Sequence, residues 1–450
     1  MATAAADDVT ARIVDYVLSA RPDDLPAAVR KEGVRSFLNV LGCTYGGAQH
    51  EATGKTWAAL RPFAGPSRVS LIGRSEKADA LSASLVNTLA SSIATYDDTH
   101  AEAIVHPSGP IMATVLAIAE EQPVSGRDAL AAFILGVEVV CRLSKAVSVP
   151  PAKGNIAWSQ TGICCGVGAA LAASRLLGLD AGAARQAVGH AASQASGLRV
   201  AHGTMCTAMM PAQAAQSGLR AAHFAKAGVT SSERALEGRY GFVECFAVSP
   251  HLEALTRRLG DHFEILANTY KPFPCGIVIN PLIDAALQLR SAHGLKADEI
   301  ARIEMVVSPG AIALCDRRHP KDEFEGQVSL YHWVASAFVR GRAGSADGTD
   351  AVIRDPAMGA FRERIFATAS PAMPIDGVDM AVKLADGRTI SLSLRDCIGS
   401  KGRPMTDDQL TAKFEQSASS VLSADTMRRV IADCWRLEDL ADAKAVIAAG

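Results

Sequence analysis

Tyr96-Asp97-Asp98-Thr99-His100 and, soon after it, His106-Pro107-Ser108-Gly109 form the densest polar cluster in an otherwise apolar region. Two carboxylates, a hydroxyl and two imidazoles, set where one helix ends and the next begins, could bind a carboxylate and remove a proton beside it. A plainer role also fits. Asp97, Asp98 and Thr99 can cap helix ends, with His100 and His106 merely half-buried. The spacing of the two histidines is not the one-face helical pair of H-E-x-x-H, and no third ligand is obvious, so a metal site is not expected.

Three further segments carry suitable groups. Trp158-Ser159-Gln160-Thr161-Gly162 opens a helix, where free backbone N–H groups favour an anion, although any helix start has them. His202-Gly203-Thr204-Met205-Cys206-Thr207 is polar, glycine-interrupted and bounded by helices: a substrate-facing loop or only a connector. The run Asn268 to Gly276 holds two prolines that fix Tyr270, Lys271 and Cys275 in place. Lys271 could neutralise a substrate carboxylate, or act as a base if desolvated. Arg317-Arg318-His319 and Ser400-Lys401-Gly402-Arg403 read as solvated basic faces. Gly166-x-Gly168 lacks the preceding strand and third glycine of a dinucleotide fingerprint. Neither a G-x-x-x-x-G-K-[ST] phosphate loop nor a G-x-S-x-G elbow occurs.

The elements that must position these groups are mostly helices. Apolar residues recur at helical spacing from Val9 to Val17 and from Leu25 to Cys43, where Gly46-Gly47 predicts a break. Further runs cover Ala78–Ile93, Ile111–Gln122, Arg127–Val147, Gly162–Leu177, Ala181–Ala195, Pro211–Ala227 and Ser249–Leu259. From about Tyr270 the pattern changes. Ala301–Val307 alternates like a strand, and the alternating runs Val378–Leu384 and Ile390–Leu394 flank Asp386-Gly387, a hairpin signal. Helical pieces at Asn280–His293 and Ser329–Arg340 lie between. Thr406 then caps Asp407–Ala418, and helix continues to Gly450. The fold class is therefore mainly α: a discontinuous all-helical domain (1–267 plus 399–450) with a smaller α+β lid (268–398). Gly341–Asp350 reads as a mobile surface loop.

Bulk composition narrows the classes. At 450 residues the chain exceeds the usual size of one core. No uninterrupted apolar span is long enough for a membrane, and Met1 to Asp8 lack the pattern of a secretory signal. A net charge of −2 argues against a nucleic-acid partner. The ten cysteines show no C-x-x-C pair, which fits a reduced, cytoplasmic chain whose thiols are mostly buried.

Together the segments resemble the MmgE/PrpD family of dehydratases and decarboxylases. The likeness runs through Leu25-Pro26, Leu41-Gly42, Tyr96-Asp97-Asp98-Thr99, His106-Pro107-Ser108, Thr161-Gly162 and Gly203-Thr204-Met205. It continues through Lys271-Pro272-Phe273-Pro274, Ser329-Leu330 and Pro404-Met405-Thr406. The resemblance implies a homodimer, a cleft between domains, and small polycarboxylate substrates handled by proton abstraction without a metal or organic cofactor. It places Asp98, Thr99, His100, His106 and Lys271 at the site. His106 and Lys271 are the expected proton-transfer or anchoring groups, with Tyr270 and Cys275 as further acids. Ser159, Arg199, Thr207 and Asn280 join Thr99 as expected substrate-binding residues. The departures matter too: Ser159 stands where the lyase branch has His, Thr207 where it has Lys, and Met210 and Asn280 where it has His. A site so stripped suits epimerisation of an imino- or amino-dicarboxylate such as iminodisuccinate, which needs no acid for a leaving group. The alternative is a 2-methylcitrate dehydratase-like hydro-lyase.

Overall fold

Several helices begin where the sequence sets a side-chain oxygen ahead of an apolar run. Asp79, Ser125, Ser159 and Asp180 each accept backbone N–H groups at the head of the helix that follows, pairing donors that a first turn leaves free. The computed structural model describes residues 8–447; the readings of residues 1–7 and 448–450 lie outside them. The larger body is built from α1 (Val9–Ser19), α2 (Ala27–Gly47), α3 (Glu51–Leu60), α4 (Ala80–Ser92) and α5 (Ser108–Glu121). It continues with α6 (Gly126–Ser148), α7 (Gln160–Leu176), α8 (Ala181–Ser193) and α9 (Cys206–Lys226).

Small residues set the spacing in this body. A Cβ on Gly168 of α7 would stand 2.6 Å from the carbonyl oxygen of Gly136 on α6, and one on Gly218 of α9 would stand 2.5 Å from that of Gly166. Glycine lets these backbones nearly touch. The same reason overturns the expected break at Gly46-Gly47: α2 runs through both, because Gly47 lies against the Ala90 carbonyl of α4. Other expectations shift as well. α9 starts at Cys206 rather than Pro211, α3 was not anticipated, and within 249–259 only Glu253–Thr256 is helical.

The smaller body carries a four-stranded sheet in the order Thr389–Leu394, Val378–Leu384, Ile300–Val307, Ile365–Ala369. The first two pairings are antiparallel and the last is parallel. Alternation decides its inner face: Ile303, Met305 and Val307 are buried beside Val378, Met380 and Val382. These pack with helices Asn280–His293 and Leu330–Arg340 into a second hydrophobic core, separate from that of the helical body. The stretch 341–350, expected as a mobile surface loop, contains a helical turn at Ser345–Asp347 and is tied to the body at one residue. Asp347 is buried there, and its carboxylate gathers Arg340, Arg342 and the Gly344 N–H.

After the sheet the chain returns to the helical body. Thr406 and Gln409 cap Asp407–Ala418 reciprocally, and Leu410 and Phe414 of this helix join the first core, Phe414 lying against Gly42 of α2. Among the described residues, no helix is long and apolar enough to cross a membrane.

Candidate active site

A short antiparallel pairing, Asp98 opposite Tyr270 and Thr99 opposite Thr269, brings the two most polar segments together. Because side chains alternate along a strand, neighbours part company here. Asp97, Thr99 and Lys271 face a cavity of about 510 Å³, whereas Asp98, His100 and Tyr270 do not. The helical body supplies one side of this cavity, including His106, Ser159, Thr161, Arg199, His202 and Thr207; the α+β body supplies Ile277, Leu314, Gln327 and Val328. Gln327 joins the two, accepting from Thr95 Oγ1 at 2.6 Å and donating to the Ile93 carbonyl at 2.9 Å.

Lys271 Nζ lies 2.8 Å from Asp97 Oδ1, and both side chains are buried. Burial alone would raise the Asp97 pKa; the charge of Lys271 and its hydrogen bond outweigh it and hold the carboxyl below its ordinary range. Lys413, from the returning helix, pins the backbones that carry this pair. Its Nζ donates to the carbonyls of Tyr96 and Lys271 at 2.7 and 2.8 Å and to Asn39 Oδ1 at 2.7 Å, and stands 3.9 Å from the centre of the Tyr96 ring. Burial brings its pKa down to about 8. The sequence reading missed Lys413. The available signal was a lysine on the same helical stripe as Leu410 and Phe414.

His106 is the group best placed to take a proton. Its Nδ1 is 2.8 Å from the Asp98 carbonyl oxygen and 3.0 Å from Thr99 Oγ1. A carbonyl only accepts, so Nδ1 carries the hydrogen and the neutral ring keeps a lone pair on Nε2. Its backbone N–H donates to Thr161 Oγ1 at 3.0 Å. Burial, and then the charge of Lys271, lower the His106 pKa, with Asp97 pulling the other way; the ring is neutral at pH 7. His202 also borders the cavity, and burial together with Arg199, His106 and Arg317 brings its pKa down to about 4.

The remaining expected residues divide sharply. Arg199 borders the cavity, held by the Trp158 carbonyl at 3.0 Å and by Gln160 Oε1. Ser159 caps α7 through Gly162 N–H at 3.2 Å, and Thr207 Oγ1 donates to the Ala201 carbonyl at 3.0 Å. Both border the cavity, Ser159 Oγ as an acceptor and Thr207 Oγ1 as a donor to backbone. Asp98 is buried behind it, accepting from Ser108 Oγ and Asn268 Nδ2 at 2.5 Å each, and burial pushes its pKa up to about 6. His100 is fully buried, with Nδ1 accepting from Ala103 N–H and Nε2 3.1 Å from Glu264. Tyr270 is tied to Ser36 and Glu32, and burial raises its pKa well above the usual phenol range. Cys275 Sγ meets Asn280 Oδ1 at 3.5 Å, and both are buried away from the cavity. Asp98, His100, Tyr270, Cys275 and Asn280 therefore support the site without facing it. Among the described residues, no three His, Cys, Asp or Glu side chains gather as metal ligands.

What remains facing the cavity is a neutral imidazole beside a paired ammonium, with the Arg199 guanidinium bordering the same cavity. Such a set can bind an anion and move a proton next to it. Compared with known proteins, the chain matches the MmgE/PrpD N-terminal domain over residues 11–254 and the MmgE/PrpD C-terminal domain over residues 273–437. It is 24% identical to a cis-aconitate decarboxylase of Aspergillus terreus, across 94% of this chain and 91% of that one. It is 25% identical to the Mus musculus cis-aconitate decarboxylase, across 96% and 91%, and 27% identical to that of Homo sapiens, across 80% and 77%.

Proposed function

The chain belongs to the MmgE/PrpD family, and from that footing we propose that it is a polycarboxylate enzyme that removes a proton beside a carboxylate, and that its reaction is epimerisation of an imino- or amino-dicarboxylate such as iminodisuccinate. The observation that carries this reading is His106: a neutral imidazole with Nδ1–H tied to the Asp98 carbonyl and Nε2 left for the cavity, next to Lys271. Nε2 takes the α-proton. The negative charge passed to the carboxylate oxygens is stabilised by the Lys271 ammonium; a solvent water then protonates the opposite face, inverting the centre, and the hydroxide left behind is neutralised by the proton held on Nε2.

The choice of epimerisation over lyase chemistry rests on which proton donors the cavity lacks. Water loss needs an acid for the departing hydroxide. Around the cavity His106 and His202 are neutral, and Asp97 is ionised. Ser159 and Thr207 occupy positions where the lyase branch carries His and Lys; Ser159 Oγ accepts the Gly162 N–H and Thr207 Oγ1 donates to the Ala201 carbonyl, and neither alcohol is a strong enough acid to replace an imidazolium or ammonium. Met210 offers the cavity only an apolar wall.

The second reading is decarboxylation, favoured by the relatives named cis-aconitate decarboxylase. Proton NMR in deuterium oxide separates the two. Epimerisation predicts solvent deuterium at the α-carbon of a single-enantiomer imino- or amino-dicarboxylate, with loss of optical purity and no carbon dioxide or water released. Carbon dioxide from cis-aconitate, or water from 2-methylcitrate, without α-exchange in the dicarboxylate would overturn it in favour of lyase chemistry.

A further inference from the structure

Charge accounting around the cavity points to a residue that the sequence placed on a solvated face. The Lys271–Asp97 pair at 2.8 Å sums to zero, and His106 and His202 are neutral. A polyanion must therefore be attracted by something else. Arg199 is one such group. Its Nε and one terminal nitrogen bond only neutral oxygens, of Trp158 and Gln160, and leave it without a carboxylate. Arg317 is the other. It follows helix Pro309–Cys315 of the α+β body, and its half-buried guanidinium reaches across to Gly203 of the helical body. A Cβ on Gly203 would stand 2.6 Å from one of its terminal nitrogens and 3.2 Å from Cζ. Gly203 itself lines the cavity and holds φ at +85°, so the absent side chain is what admits the arginine. Among the described residues, the Arg317 side chain has no hydrogen-bond or ion-pair partner of its own. Its neighbours Arg318 and His319 are occupied, with the Arg362 carbonyl and Tyr331 ring in one case and Glu363 in the other.

We propose that Arg317 and Arg199 together form a subsite for a second substrate carboxylate, one guanidinium from each body, and that Arg317 sets the preference for dicarboxylates over monocarboxylates. A carboxylate between two guanidinium groups gains charge-assisted, two-pronged hydrogen bonds. The first carboxylate stays beside Lys271, where His106 can reach the adjacent carbon. A substrate with a single carboxylate uses only that half of the site. The proposal rests on the polycarboxylate reading above, and it adds the residue that counts the carboxylates.

Calorimetry with succinate and with butyrate tests it on the full chain, without needing turnover. The unaltered protein is expected to bind succinate at least tenfold more tightly than butyrate. Arg317→Gln should remove that margin, weakening succinate about tenfold or more and leaving butyrate unchanged, with Arg317→Lys recovering part of it. Gly203→Ala, which drives a Cβ into the guanidinium, should act in the same direction. Thermal unfolding of each variant checks that the fold persists, and the comparison between two ligands on one sample does not depend on the folded fraction. A succinate preference that survives Arg317→Gln overturns this inference alone. An unaltered protein that binds both ligands equally overturns the dicarboxylate reading and the inference with it.

Discussion

At the scale of single residues, the role proposed for His106 turns on one lone pair, and the Asp98 carbonyl beside Nδ1 fixes which nitrogen carries it. His106→Gln keeps a side chain of similar reach but no basic nitrogen; kcat should fall by about 10²–10⁴-fold with KM little changed, read from steady-state rates. An equal loss in Ala and Gln variants through KM alone would make His106 an anchor instead. The pH profile follows from the same surroundings. The base must be unprotonated, and burial with the Lys271 charge holds its pKa down, so the acid limb of kcat/KM falls below pH 6.5, the ordinary imidazole value. Lys271→Gln removes a neighbouring positive charge and frees the Asp97 carboxylate; both favour the protonated ring, and the limb should move to higher pH. A limb that stays still would detach His106 from the profile. The residue types of this site were readable in the sequence, but their directions were not. Taking 96–100 as a helix end hid the alternation that turns Asp97 and Thr99 to the cavity and sends Asp98 and His100 to Ser108, Asn268 and Glu264. Tyr270 and Lys271 part for the same reason. Arg317 was invisible because its partner surface, Gly203, lies over a hundred positions away and is defined by a missing side chain.

At the scale of elements, α6 decides how the chain enters the site. Arg142 and Glu138, one turn apart and both buried, form an ion pair. Arg142 also donates to the carbonyls of Arg257 and His262 at 2.7 and 3.0 Å, and Glu138 accepts the Glu264 N–H at 2.6 Å. This buckle holds the connection that leads into Thr269–Tyr270, and it explains why 249–259 is mostly not helical. The carbonyls there are turned to Arg142 instead of continuing a helical ladder. Arg142→Met leaves the Glu138 carboxylate buried and unpaired, and should cost about 3–5 kcal/mol in urea denaturation. The double variant with Glu138→Gln should recover part of that loss. A cost under about 1 kcal/mol for the single change would mean that the connection has another support. Helix existence was readable from the 3.6-residue period almost everywhere. Helix ends were less so, because Pro211 and Gly46-Gly47 carry local signals for a start and a stop that tertiary packing overrides.

At the scale of the whole molecule, the order of the chain and the order of the cores differ. The MmgE/PrpD C-terminal match runs to residue 437, yet Met405, Leu410, Phe414, Val430 and Cys434 belong to the hydrophobic core of the helical body. A heptad-like stripe on Asp407–Ala418 announces burial but not against what. The answer comes from Phe414 lying on Gly42 and from Lys413 gathering the Tyr96 and Lys271 carbonyls. The tail is thus both a wall of one core and the pin behind the Asp97–Lys271 pair. A chain ending at Ile398 would uncover the face of α2 that carries Leu41, Gly42 and Tyr45, an apolar strip too large to leave in water, and would leave the Tyr96 and Lys271 carbonyls without their donor. We expect that chain to be insoluble, or to keep far-UV helical signal without a cooperative thermal transition. Phe414→Ala in the full chain should be the milder version, losing about 3–5 kcal/mol of stability while the cavity's succinate affinity persists in the folded fraction. A truncated chain that unfolds cooperatively at the temperature of the full one would show the tail to be an appendage, and the Tyr96 and Lys271 carbonyls not to need Lys413 for the fold.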